Sequence, residues 1–112
     1  MKLPNGDQAE VPQAKITEYL LSFTHEDGRP KAQFFTRFGF TIAEWEQLAE
    51  ALKEHGQQHF VTKVEDSPFG KRYVIEGTLN APDKRTPFIR VVWFIKDGTD
   101  TPQLVTAYPL RR

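Results

Sequence analysis

Residues 85–108 read RTPFIRVVWFIKDGTDTPQLVTAY, and this stretch decides the fold. Its first half alternates with period two: Ile89, Val91, Trp93 and Ile95 fall on one face of a strand, and Phe88, Arg90, Val92, Phe94 and Lys96 on the other. Lys96-Asp97-Gly98 breaks the pattern and turns the chain. A second apolar run, Leu104 to Tyr108, then returns alongside. A hairpin this apolar is expected at the centre of a sheet, because an edge would expose it.

Working outward, the period of two extends back through two more segments, Tyr73–Leu79 and Phe60–Val64. Pro68-Phe69-Gly70 turns between them, and Asn80 to Lys84 turns into Phe88–Ile95. Before residue 58 the period is helical. Pro12 suits a helix start, and Ile16, Tyr19 and Leu20 follow at helical spacing, giving a helix from Pro12 to about Ser22. Pro30 opens a second helix in the same way, with Phe34, Phe35 and Phe38 as its stripe and Gly39 as its stop. Thr41 and Glu44 form a capping box for a third helix, whose apolar face is Ile42, Trp45, Leu48, Ala49 and Leu52 and whose stop is Gly56. The expected fold is α+β: three N-terminal helices packed on one face of a four-stranded antiparallel meander. Residues 1–112 read as one domain, with an arm or two short strands over 1–11, helices over 12–56 and the meander over 58–110. Asn5-Gly6 is a hairpin-type turn signal within the arm. Met1 to Gln8 and Arg111-Arg112 read as loose ends.

Composition narrows the function. The chain of 112 residues has no cysteine, which removes disulfides and thiolate–metal sites. Its apolar runs are too short to span a bilayer, and no charged-then-apolar leader opens it, so a cytoplasmic protein is expected. Fifteen basic and fifteen acidic residues balance, which argues against nucleic-acid binding through bulk charge but leaves room for a small basic site. No Gly-rich phosphate loop, nucleophile elbow or metal signature is present, and no cofactor is expected.

Chemistry-bearing residues remain. Arg90 is a charge that the strand pattern does not require, and the returning strand places Thr106 and Tyr108 near it. A guanidinium fork with two hydroxyls suits a phosphate; a cross-strand pair with Glu76, the one acid in a strand pattern, is the plainer reading. His25 lies in a polar loop, with Lys31 in the first turn of the second helix, and the two would add a proton-transfer group and another phosphate contact. His55 and His59 read as surface residues, with Gly56 breaking the helix between them.

The segments KITEYLL, H-x-x-G-R-x-K-A-x-F-F, F-G-F, VVWFI and P-x-L-V-T-A-Y-P occur in order over Lys15–Pro109 and resemble an uncharacterised bacterial family, domain of unknown function 6883. The order of helices then meander is also similar to the barnase–EndoU–colicin–RelE superfamily of metal-independent ribonucleases. That resemblance implies a toxin neutralised by a cognate antitoxin or immunity protein, with an active site on the open sheet face formed by His25, Lys31, Arg90, Thr106 and Tyr108. Two departures count against it: no histidine lies in the strands, and the chain is neutral where many such toxins are basic. The competing expectation is a non-catalytic module that binds a protein partner through the same face. A homodimer through that face is a third. Catalysis asks for a polar, concave surface around Arg90, and pure interaction asks for an apolar one.

Overall fold

The structure is a computed structural model and describes residues 1–110; Arg111 and Arg112, expected to be loose, lie outside the described residues. Helix α1 is a short turn, Gln13–Lys15, that widens into a π turn over Ile16–Leu20. Helices α2 (Arg29–Arg37) and α3 (Trp45–Gln58) follow. Strands β1 (Val61–Ser67), β2 (Gly70–Thr78), β3 (Phe88–Lys96) and β4 (Gln103–Pro109) form one antiparallel sheet in the order β1-β2-β3-β4. The α+β meander expected from the sequence is the observed fold. Short loops between consecutive strands leave little choice but adjacent pairing.

The alternation in β3 sorts the layers. Ile89, Val91 and Trp93 are fully buried against the helices, joined by Ile75 of β2 and by Leu104 and Ala107 of β4. Ile16, Leu20, Leu21, Phe35, Phe40, Leu48 and Leu52 supply the helical side of this core. Among the described residues no helix is long and apolar enough to cross a membrane.

Several local expectations need correction. The hydroxyl of Thr41 does accept from the Glu44 N–H (3.2 Å), but the Glu44 carboxylate takes a hydrogen bond from Gln47 Nε2 (2.7 Å) instead of reaching back. The capping box is therefore half made, α3 starts at Trp45, and Ile42 stands 48 % exposed outside the apolar face. Gly56 does not stop α3, which runs through it. It is there because an added Cβ would sit 3.2 Å from Trp93 Nε1. His55, expected at the surface, is buried.

The arm is neither a hairpin nor loose. It makes a 3₁₀ turn at Gly6–Gln8 and lies on the helical side of the sheet, with Leu3, Ala9 and Val11 in the core. Its start is held by Val61 N–H donating to Met1 O (2.7 Å), and its end pairs in parallel with β4 at Glu10 and Gln103. β3 is central as expected, whereas β4 is an edge strand whose near end the arm closes.

Candidate functional site

The face of the sheet away from the helices is concave. Its centre is a cavity of about 530 Å³. Val74 and Val92 form the floor, and Thr62, Lys63, Glu65, Arg72, Glu76, Arg90 and Tyr108 form the sides. The floor is buried although no helix covers it, because the longer side chains around it close over the two valines.

Register brings the central group together. Arg90 lies opposite Glu76 on β2 and opposite Tyr108 on β4. Its Nε and Nη2 both donate to Glu76 Oε2 (2.8 and 2.6 Å), and its Nη1 donates to the Tyr108 hydroxyl (3.0 Å). The Tyr108 hydroxyl first, and the Glu76 carboxylate second, raise the Arg90 pKa above its ordinary value. The guanidinium is thus a fixed cation, aimed by two neighbouring strands, with one carboxylate already beside it.

A second group stands at the β4 edge. Thr106 shares the open face with Tyr108, two residues away on the same strand. Its hydroxyl hydrogen-bonds the hydroxyl of Tyr19 (2.8 Å), which reaches over from the π turn. The His25 ring packs edge-on against Tyr19 at 5.0 Å between centres. Lys15 and Lys31 place their ammonium groups 5.5 and 5.3 Å from the centre of the same tyrosine ring. His25 Nδ1 accepts from the backbone N–H groups of Asp27 and Gly28 (3.1 and 3.0 Å). That nitrogen therefore carries no proton, and the neutral ring keeps its hydrogen on Nε2 as a donor.

Of the five residues selected from the sequence, Arg90 and Tyr108 touch directly, and Thr106, His25 and Lys31 gather around Tyr19. The two groups meet where Thr106 and Tyr108 sit side by side on β4. Among the described residues no group of three or more His, Cys, Asp or Glu could hold a metal ion.

The model of a family described as domain of unknown function (DUF6883) matches residues 2–111. The chain belongs to the DUF6883 family. No curated protein matches this DUF6883 chain. Among solved structures it is similar to a chain from the contact-dependent growth inhibition toxin–immunity protein complex of Klebsiella pneumoniae 342. The two share 16 % identity over 89 % of the DUF6883 chain and 98 % of the other, with a TM-score of 0.70. At that identity the likeness is one of fold.

Two residues of this candidate group, Tyr19 and Lys15, were not among those selected from the sequence. Helical spacing put Tyr19 with Ile16 and Leu20 as core. Tyr19 does pack half-buried against that core, and its hydroxyl end reaches Thr106 on β4. The motif segment containing Lys15 and Tyr19 was the available signal.

Gly28 ties this group to the fold. Its N–H holds His25 Nδ1, and a Cβ there would overlap the Tyr19 carbonyl oxygen. Gly28→Ala is expected to destabilise the protein by about 1–3 kcal/mol, the range for overpacking against an unyielding backbone. The urea midpoint should fall with an unchanged slope, and a midpoint equal to wild type would show that the Tyr19 backbone yields.

Proposed function

We propose that this chain is the RNA-cleaving component of a bacterial toxin system, acting in the cytoplasm without a metal ion and restrained by a partner protein. The observation that carries the reading is the polar, concave surface around Arg90, where a pure interaction face would be apolar. The toxin–immunity complex that shares the fold supports the setting.

The chemistry would be attack of a 2′-hydroxyl on the adjacent phosphorus. The Glu76 carboxylate takes the hydroxyl proton as the 2′-O–P bond forms. Arg90 holds the negative charge that grows on the phosphoryl oxygens. Tyr108 and Thr106 position the group from β4. The P–O5′ bond then breaks; the departing oxygen receives a hydrogen bond from His25 Nε2–H and takes its proton from water. The products are a 2′,3′-cyclic phosphate and a 5′-hydroxyl.

The test is incubation of the purified protein with RNA in excess chelator, with both new ends analysed. Arg90→Ala should lower kcat by about a hundredfold, as loss of one fixed charge donor does. His25→Ala should also act on kcat if one phosphate engages both groups. Intact RNA after prolonged incubation with folded wild type would sink the reading.

One observation favours the other reading, a non-catalytic module that binds a partner. Two of the three Arg90 hydrogen bonds go to Glu76, so the charge that a phosphate would meet is partly neutralised already. In that case Arg90→Ala would weaken capture of the partner while RNA stays uncut by wild type.

A further inference from the structure

We infer that Lys15, Tyr19 and Lys31 form a second phosphate-binding subsite for RNA, next along β4 from the Arg90 group. The inference rests on the RNA reading above and adds a place for a neighbouring backbone phosphate.

A cavity of about 450 Å³ opens between the π turn, the His25 loop and β4, bordered by Lys15, Tyr19, His25 and Thr106. The two lysines come from different helices and converge on one ring. Lys15 Nζ donates to the Val105 carbonyl (3.2 Å) and Lys31 Nζ to the Asp27 carbonyl (3.0 Å). An ammonium has three N–H groups, so each keeps two for a ligand. Glu18 and Asp27 border the same cavity. Yet among the described residues neither ammonium lies within ion-pair distance of a carboxylate. The tyrosine ring attracts both cations and leaves their charge unneutralised.

The two ammonium groups lie 5.5 and 5.3 Å from one ring centre, so they are at most about 11 Å apart, and an anion held between them is attracted by both. The hydroxyls of Tyr19 and Thr106 share one hydrogen bond, which leaves one O–H of the pair as a neutral donor at the same opening, and the His25 ring borders it. This donor set suits phosphate oxygens; a cationic or apolar ligand would leave it unpaired. Thr106 and Tyr108 are two residues apart on one face, a step of about 7 Å along the strand. A polymer of repeating phosphates can engage both groups, where a lone phosphate would occupy one. Stacking of a base on Tyr19 is not required.

The experiment uses a labelled 2′-O-methyl oligoribonucleotide, which binds but cannot be cut because its attacking hydroxyl is blocked. Fluorescence anisotropy is measured from 50 mM to 300 mM salt. Loss of one phosphate contact on a single strand should flatten the slope of log K against log salt by about 0.7, equivalent to about eightfold weaker binding at 50 mM. Lys15→Gln and Lys31→Gln should each do this, and Tyr19→Phe should weaken binding without changing the slope. Lys53→Gln on α3 removes a charge elsewhere and should behave as wild type. Slopes for Lys15→Gln and Lys31→Gln equal to that of Lys53→Gln would overturn the subsite, as would a wild type that does not bind the oligonucleotide at 50 mM salt. Binding with the expected slopes, but no cutting of unmodified RNA, would keep the subsite and remove the cleavage reading. Cutting with unchanged slopes would do the reverse.

Discussion

Trp93→Ala should lower the stability of the protein by about 3–5 kcal/mol, the largest effect expected of any single core truncation here. Trp93 is the largest fully buried side chain. It lies at the middle of β3, paired with Tyr73 of β2 and Leu104 of β4, and rests against Gly56 of α3. Truncation would open a void between sheet and helix that neither backbone can close, and the neighbouring dispersion contacts would be lost outright. Small domains hold only about 5–15 kcal/mol in total, so the variant would be partly unfolded at ordinary temperature. Trp93→Phe separates shape from hydrogen bonding. The indole Nε1–H is buried with no hydrogen-bond partner among the described residues, so losing it sacrifices no bond. The phenylalanine variant should therefore lose about 1–2 kcal/mol, chiefly through area. Urea midpoints at constant slope measure both. A Trp93→Ala loss below about 1 kcal/mol would mean that the α3–β3 contact is not where the core is held.

Acid should destabilise the protein through His55. This ring is 1 % exposed, and its Nε2 meets the Gly77 carbonyl at 3.1 Å. Its Nδ1 is buried with no hydrogen-bond partner among the described residues. Burial lowers the His55 pKa from 6.5 to about 4; hydrogen bonding to the Gly77 backbone opposes the shift, the nearby His59 adds to it, and the Ile89 backbone opposes it more weakly. The folded state therefore holds fewer protons than the unfolded chain between these values. The stability tied to His55 is fully present above pH 6.5, falls as the pH drops, and is gone below pH 4. A shift of that size corresponds to about 3 kcal/mol. His55→Gln can still donate to Gly77 and does not titrate, so the wild type should lose about 3 kcal/mol relative to it on acidification. A proton NMR titration of the His55 ring gives the midpoint directly. A midpoint near 6.5 would show that the ring meets water.

These two residues also mark what the sequence reveals. The β3 alternation was legible because one face of the strand is buried and a one-residue slip would turn Ile89, Val91 and Trp93 outward. The same alternation put Arg90 on the open face, and the sequential order of strands put Tyr108 beside it. His55 was misread because a histidine next to a glycine resembles a helix end. The glycine answers to a tryptophan 37 residues later, a contact that local pattern does not carry. The site role of Tyr19 was hidden for a like reason: spacing sets its ring with Ile16 and Leu20 but carries no sign of the Thr106 hydroxyl that its own hydroxyl meets 87 residues later. Legible features follow from periodicity, and hidden ones depend on which distant backbone lies opposite.

The arm that spans the helical side of the sheet has a kinetic consequence. The hairpins of the meander close over residues 68–69, 79–87 and 97–102, spans far shorter than the arm's, so β1 to β4 can pair in succession. The arm has no such local partner. Asn5 Nδ2 donates to the Asp100 carbonyl across 95 residues, and Glu10 pairs with Gln103 only once β4 is in place. Closing so long a loop is entropically expensive until the sheet pre-forms its far end. Docking of the arm is therefore expected to be the last event in folding and the first to reverse, with Leu3, Ala9 and Val11 bare until it happens.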